Sequence, residues 1–235
     1  ERVSEVYSDN LLTNSIDIKI ENLSFDYNDS RQVISNLTLH IPGGEKVCLM
    51  GAEGSGKSTL LMILAGIYHD FSGNILLNDV PIKMISRTEL YRKVAVFMAD
   101  DELFSGTLQE NITIGNKTIS LSELQQISAL VGLDDYIRDQ QDGYQSFLDP
   151  QGRKLSYNIV QKILLARCLV NKPSLLLLED DWSGIESSVR EKVINYLTDA
   201  SQEFTMIVVT NDEVLASRCS RIIHFEKGSV KKSKI

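Results

Sequence analysis

Apolar and polar positions alternate through the first forty residues. In SIDIKIENLSF (Ser15 to Phe25) and VISNLTLHI (Val33 to Ile41) the period is close to two, as for strands with one buried face. The turn-rich DYNDSR between them predicts an antiparallel pair. After the Pro42-Gly43-Gly44 break, EKVCLM is a short apolar run of the kind that forms a buried strand. A glycine-rich turn follows, then KSTLLMILAGI, long enough for a helix. Further strands are predicted over GNILLN (73–78), VAVFM (94–98), SLLLLE (174–179), TMIVVT (205–210) and RIIHFE (221–226). Between Met98 and Ser174 the period changes to that of helices in LSELQQISALVGL and LSYNIVQKILLARCLV, with Ser120 or Ser122 and Ser156 as caps. This pattern describes an α/β domain carrying a mostly helical insertion, with the basic end KGSVKKSKI frayed.

Composition narrows the class. The chain has 235 residues and is 43% hydrophobic, enough for an ordinary core. A net charge of -8 argues against a nucleic-acid partner. Cys48, Cys168 and Cys219 are few, odd in number and set among apolar neighbours, as reduced core thiols are; no metal-ligand spacing joins them. His40, His69 and His224 read as surface or strand residues. The strongest apolar stretch, Leu60 to Ile67, falls well short of the roughly 18 residues that cross a bilayer. A chain that starts at Glu1 without methionine is expected to be part of something longer.

The chemistry concentrates in GAEGSGKST: Gly51, Ala52, Glu53, Gly54, Ser55, Gly56, Lys57, Ser58 and Thr59. It satisfies Gly-x4-Gly-Lys-Ser/Thr between a predicted strand and a predicted helix, a pattern that chance would place in about 1% of chains of this length. Glycines let the backbone curl so that successive N–H groups meet phosphate oxygens, and the helix adds its positive end. Lys57 is expected to reach the β and γ phosphates and Ser58 to ligate Mg²⁺. The acids of LLLLEDDWSG then find a place. Where a cradle precedes it, an acid ending a parallel strand stands beside the metal and the next one polarises the attacking water. Those residues are Glu179 and Asp180. A shift that pairs Asp180 with Asp181 is the other register; Pro173 before the strand and Ser183 after it favour the first.

With cradle, helical insertion and acidic strand in this order, the chain resembles the nucleotide-binding domain of ABC transporters, in particular the exporter type fused behind a membrane domain. LSFDYNDSRQVISNLTLHIPGGEKVCLMGAEGSGKSTLLMILAG, ELFSGTLQENI and ILLARCLVNKPSLLLLED carry the likeness over nearly the whole chain. The resemblance implies an α/β P-loop NTPase core with a mostly parallel sheet, an N-terminal antiparallel β subdomain and a helical insertion subdomain. It divides the chain into a linker (1–14), an ATP-binding core (15–98 and 174–227), a helical subdomain with the signature (99–173) and a flexible basic tail (228–235). Tyr27 takes the place of the aromatic residue that stacks on adenine. The implied ligands are ATP and Mg²⁺; the implied partners are a membrane-spanning domain and a second nucleotide-binding domain, identical or different, at the cytoplasmic face of the membrane.

Against that pattern several motifs are altered. The glutamine that touches Mg²⁺ and water falls on Ala99. The signature Leu-Ser-Gly-Gly-Gln, which closes over the γ-phosphate held by the opposite subunit, reads Leu155, Ser156, Tyr157, Asn158 and Ile159. Asp-Glu at the acidic strand is inverted to Glu179-Asp180, and a misplacement of about 1 Å costs on the order of 100-fold in rate. Ser-Ala-Leu-Asp becomes Ser183 to Glu186 (SGIE), the γ-phosphate-sensing histidine becomes Asn211, and the acid before the signature becomes Pro150. Asparagine donates hydrogen bonds but carries no proton between groups. Two functions fit: an exporter domain that binds Mg-ATP and hydrolyses it slowly, with Asp180 and Asn211 at the reacting end, or a non-hydrolysing ATP-binding regulatory subunit that leaves turnover to a partner.

Overall fold

The computed structural model describes residues 13–27, 31–98, 100–180, 182 and 184–230. The expectations for Ala99, Asp181, Ser183, the turn at 28–30, most of the linker (1–12) and the end of the tail (231–235) lie outside them. The chain divides into two compact units, one formed by 1–96, 173–180 and 200–235, the other by 97–172 and 181–199.

The first unit holds two sheets. In one, β1 (Ile18–Tyr27) pairs antiparallel with β2 (Arg31–Ile41), as the alternation requires, and on its other edge with β4 (Ser72–Leu77), which continues to β5 (Val80–Pro81). The alternation in β1 slips phase between Ile20 and Leu23, yet both are buried. Asn22, at φ 52°, supplies the bulge that returns the apolar side chains to one face.

The second sheet has the order β12-β11-β3-β10-β9-β6, where β3 is Lys46–Met50, β6 Val94–Phe97, β9 Leu175–Glu179, β10 Thr205–Val209, β11 Arg221–Glu226 and β12 Ser229–Val230. Strands β11, β3, β10 and β9 run parallel. Leu175 to Leu178 are wholly buried, which explains a continuous apolar run in place of alternation. Helix α1 (Lys57–Leu64) is shorter than its apolar pattern, because Gly66 turns left-handed at φ 70° and ends it. Helices α2 (Arg87–Lys93) and α8 (Glu213–Arg218) also belong here; Ser86 caps the first, accepting from the N–H of Glu89.

The structure departs from the frayed tail expected from 228: Ser229–Val230 pairs antiparallel with β11. Lys227 (φ 49°) and Gly228 (φ 76°) make the tight turn that folds the chain back.

The second unit is mainly helical: α3 (Leu108–Thr113), α4 (Leu121–Leu130), α5 (Asp134–Asp139), α6 (Tyr157–Val170) and α7 (Ser187–Thr198), with a two-residue antiparallel pair, β7 (Gly106–Thr107) and β8 (Phe147–Leu148). Ser120 caps α4 through a capping box with Glu123, and Ser156 caps α6. Arg167 donates to the carbonyls of Asn111 and Glu102 and to Asn111 Oδ1, holding the buried Asn111 in place; burial pushes its pKa down. Among the described residues no helix is long and apolar enough to cross a membrane. Cys48 and Cys168 are buried and Cys219 is half-buried, and burial pushes the Cys48 thiol up to about 12, so it stays protonated and inert.

Glu123 carries an acid-sensitive part of the stability. Its hydrogen bond with Lys172, then those with the Ser120 backbone and hydroxyl, lower its pKa to about 2. A depressed folded pKa stabilises fully above the unfolded value, about 4.3, and is lost as pH falls toward 2. Thermal midpoints of Glu123→Gln should therefore lie below those of the natural chain at pH 6 and converge on them between pH 4 and pH 2. The check is a pair of pH-dependent melting series.

Candidate functional site

The parallel strands β3, β10 and β9 end level with one another: Leu49 lies beside Val209, and Val209 beside Glu179. Beyond those ends, where open α/β sheets place their ligands, the first unit holds a cavity of about 900 Å³. It is lined by Tyr27, Gln32, Val33, all nine residues from Gly51 to Thr59, Glu179, Asp180, Val209, Thr210, Asn211 and the turn Glu226 to Gly228.

The loop from Gly51 to Gly56 is shaped by backbone crowding. A Cβ on Gly51 would stand 2.1 Å from the carbonyl oxygen of Phe225, and one on Gly56 2.9 Å from that of Val33. Gly56 (φ 101°) precedes α1, whose first turn has neither a side-chain cap nor an acid. The unbonded N–H groups of that turn, with the helix dipole, favour an anion in the cavity. The Lys57 ammonium folds back over the loop, donating to the carbonyls of Gly51 (2.9 Å) and Ala52 (2.8 Å) and to Ser55 Oγ (3.1 Å). Burial lowers its pKa, with Glu179 and Glu53 opposing.

On the facing wall Ser58 Oγ donates to Glu179 Oε1 at 2.5 Å. Asp180 Oδ2 accepts from the Thr210 hydroxyl, whose oxygen accepts from the Asp212 N–H. The exposed Asn211 follows on the same wall. Tyr27 shares a 3.0 Å hydrogen bond with Thr59 Oγ1, and its ring meets Phe25 and Tyr68 edge to face at 5.0 and 5.5 Å.

The charges in this cavity decide what it can take. Among the described residues that line it, the carboxylates of Glu53, Glu179, Asp180 and Glu226 outnumber the ammonium groups of Lys57 and Lys227. A polyphosphate that brings a divalent cation adds two fewer negative charges to this excess than a bare one and is repelled less. The donor set fits Mg²⁺, which takes one or two carboxylates and leaves its remaining positions to waters and substrate phosphates. Ser58 Oγ and Glu179 would hold it. Among the described residues no cluster of three or more His, Cys, Asp or Glu offers an all-protein metal cage.

The structure thus brings Tyr27, Gly51 to Thr59, Glu179, Asp180 and Asn211 to one cavity. Sequence reasoning missed Gln32, Val33, Thr210 and the Glu226–Gly228 turn. The turn is bonded to the loop, Gly228 N–H donating to Ser55 O at 2.9 Å. Gly228 itself was the available signal, since a Cβ there would stand 2.2 Å from Val33 O. The second unit carries the other predicted residues. Leu155 donates its N–H to Gly152 O, Ser156 caps α6 by accepting from Ile159 N–H, and Tyr157 and Asn158 open that helix.

The sequence model of the ABC transporter family matches residues 34–183. The chain belongs to that family, and its fold is the ABC ATPase fold. It is 31% identical over 218 residues to ABC transporter B family member 29, chloroplastic, of Arabidopsis thaliana, matching 92% of this chain and 34% of that protein. Over 213 residues it is 29% identical to a mitochondrial iron–sulfur clusters transporter of Homo sapiens, with coverages of 91% and 28%. Over 215 residues it is 29% identical to a leukotoxin translocation ATP-binding protein of a Pasteurella haemolytica-like species, with coverages of 91% and 30%. The structure of a bacterial Atm1-family ABC exporter with ATP bound superposes with a TM-score of 0.86 at 23% identity, over 94% of this chain and 39% of that one. The chain therefore spans roughly a third of the length of these relatives.

Since Gly51 has no room for a side chain against Phe225, Gly51→Ala should destabilise the chain by about 1–3 kcal/mol, the usual cost of overpacking. Chemical denaturation of the two forms measures it.

Proposed function

We propose that the chain is the nucleotide-binding domain of an ABC exporter, binding Mg-ATP in this cavity and coupling binding or slow hydrolysis to transport through a membrane-spanning domain of the same transporter. The observation that carries this reading is the Gly51–Ser58 loop. Backbone N–H groups, an uncapped helix start and one ammonium converge on a volume whose far wall offers a hydroxyl and a carboxylate for the cation. In binding, Lys57 exchanges the Gly51 and Ala52 carbonyls for β and γ phosphate oxygens. Tyr27 stands at the cavity edge to stack on adenine, a contact worth roughly 1–3 kcal/mol where bases stack on aromatic side chains. The second nucleotide-binding domain, identical or different, supplies the opposite half of each composite site.

Hydrolysis is the weak half. Asp180 is the base in this reading, one methylene shorter than glutamate, and one of its oxygens is committed to Thr210, which the Asp212 N–H fixes in turn. Asn211 donates hydrogen bonds to a γ-phosphate but passes no proton. Losing a single transition-state hydrogen bond costs about 3–4 kcal/mol, and two such defects in one site approach silence. That commitment of Asp180 also favours the second reading, a regulatory subunit that holds ATP and leaves turnover to a partner with unaltered motifs.

Two measurements test the proposal. Lys57→Ala should weaken Mg-ATP binding at least tenfold in calorimetry, and removing Mg²⁺ with a chelator should do the same; equal affinities throughout would reject it. Phosphate release should lie near background and rise when Asp180→Glu is combined with Asn211→His. Brisk release by the natural chain that ignores Asp180→Asn would show that another group is the base.

A further inference from the structure

Three aromatic rings of the first unit meet at one place, and Tyr27 alone of the three lines the cavity. Tyr27 stands at the end of β1 and is 39% exposed. Phe25, two residues earlier in that strand, is buried, and Tyr68, past the end of α1, is half-buried. The Tyr27 ring is nearly at right angles to both, 87° to Phe25 at 5.0 Å and 83° to Tyr68 at 5.5 Å. Phe25 and Tyr68 stack on each other at 5.2 Å. Edge-to-face contacts attract through the charge distribution of the rings as well as by dispersion.

Helix α1 delivers two of the groups that hold Tyr27. Thr59, in its first turn, shares a 3.0 Å hydrogen bond with the Tyr27 hydroxyl. Past its last turn the chain reverses at Gly66, and the N–H groups of Ile67 and Tyr68 donate to Met62 O at 2.9 and 3.4 Å, which brings the Tyr68 ring back against β1. The Tyr27 hydroxyl is thus fixed from one end of the helix and its ring from the other. A half-exposed side chain at the end of a strand would otherwise be free to change rotamer, and ordering it on binding would weaken the affinity of any ligand that stacks on it. Here another rotamer gives up the Thr59 hydrogen bond and both edge-to-face contacts.

We propose that Tyr68 is a positioning residue for the nucleobase: without touching the ligand, it holds the Tyr27 ring in the pose that stacks on adenine. This deepens the proposed function and rests on it, since the base is that of Mg-ATP. The two ends of the ligand then depend on different parts of the chain. Backbone groups of the loop from Gly51 to Thr59 grip the phosphates wherever Tyr27 points, whereas the base gains from Tyr27 only while its ring is held. Tyr68 therefore acts on the nucleoside end of the ligand and leaves the polyphosphate end alone.

The test compares Mg-ATP with Mg-tripolyphosphate, which has the phosphate tail and no base, by calorimetry on the full chain. Tyr68→Ala should weaken Mg-ATP binding roughly threefold to tenfold and leave the Kd for Mg-tripolyphosphate within about twofold. Tyr68→Phe, which keeps the ring, should restore Mg-ATP affinity to within about twofold of the natural chain. In a Tyr27→Ala background, Tyr68→Ala should change neither Kd. Equal losses for the two ligands, a Tyr68→Phe chain no better than Tyr68→Ala, or the same loss of Mg-ATP affinity with and without the Tyr27 ring would each overturn the positioning role. Mg-ATP binding that ignores Tyr68→Ala overturns it too, and leaves the functional reading standing. A natural chain that binds no Mg-ATP overturns both.

Discussion

Two backbones approach so closely at Gly51 that no side chain fits between them, and the rest of the site is arranged around that contact. The carbonyl of Phe225, on β11, occupies the place of a Cβ. The turn after β11 sets its Gly228 N–H on Ser55 O, so the loop is braced at its start and in its middle. Held there, it delivers α1 with its first N–H groups open to the cavity and places Lys57 and Ser58 at the ends of β3, β10 and β9. The anion-binding character of the cavity follows from that brace, because N–H groups act together on a phosphate only when their directions are fixed.

The chemistry at the strand end depends on distances of one methylene. Glu179 reaches Ser58 across the cavity, whereas Asp180, one position on, is drawn toward Thr210. Binding tolerates such changes because many backbone donors share the phosphate charge. Bond cleavage does not, since it relies on single groups aimed at one water. On the function proposed above, a chain of this kind keeps its grip on nucleotide while its turnover is weakened, which would join the Gly51–Thr59 loop to the acids at the strand end and Asn211.

The second unit shows the complementary point. There the residues at the positions that resemble the signature pack within their own unit. Tyr157 and Asn158 have found partners in Gly184 and Glu186.

The sequence by itself determined the local elements and the candidate chemistry. The two-residue alternation of β1 and β2, the uninterrupted leucines of β9, the serine caps of α4 and α6 and the spacing of Gly51, Gly56, Lys57 and Ser58 are all short-range signals, and the structure bears out those elements. Signals at that range say what a segment prefers and carry little about what will lie against it. The Ser86–Glu89 cap of α2 is a signal of the same range, whereas the apolar pattern of α1 runs on past Leu64, where the helix ends. What the tertiary structure alone decided are contacts between residues far apart in the chain: Gly51 against Phe225, Gly228 against Val33 and Ser55, Asp180 on Thr210, and Tyr157 over Gly184. In each case a small or short side chain is explained by what occupies the space it leaves, and that neighbour is fixed only when the chain has folded.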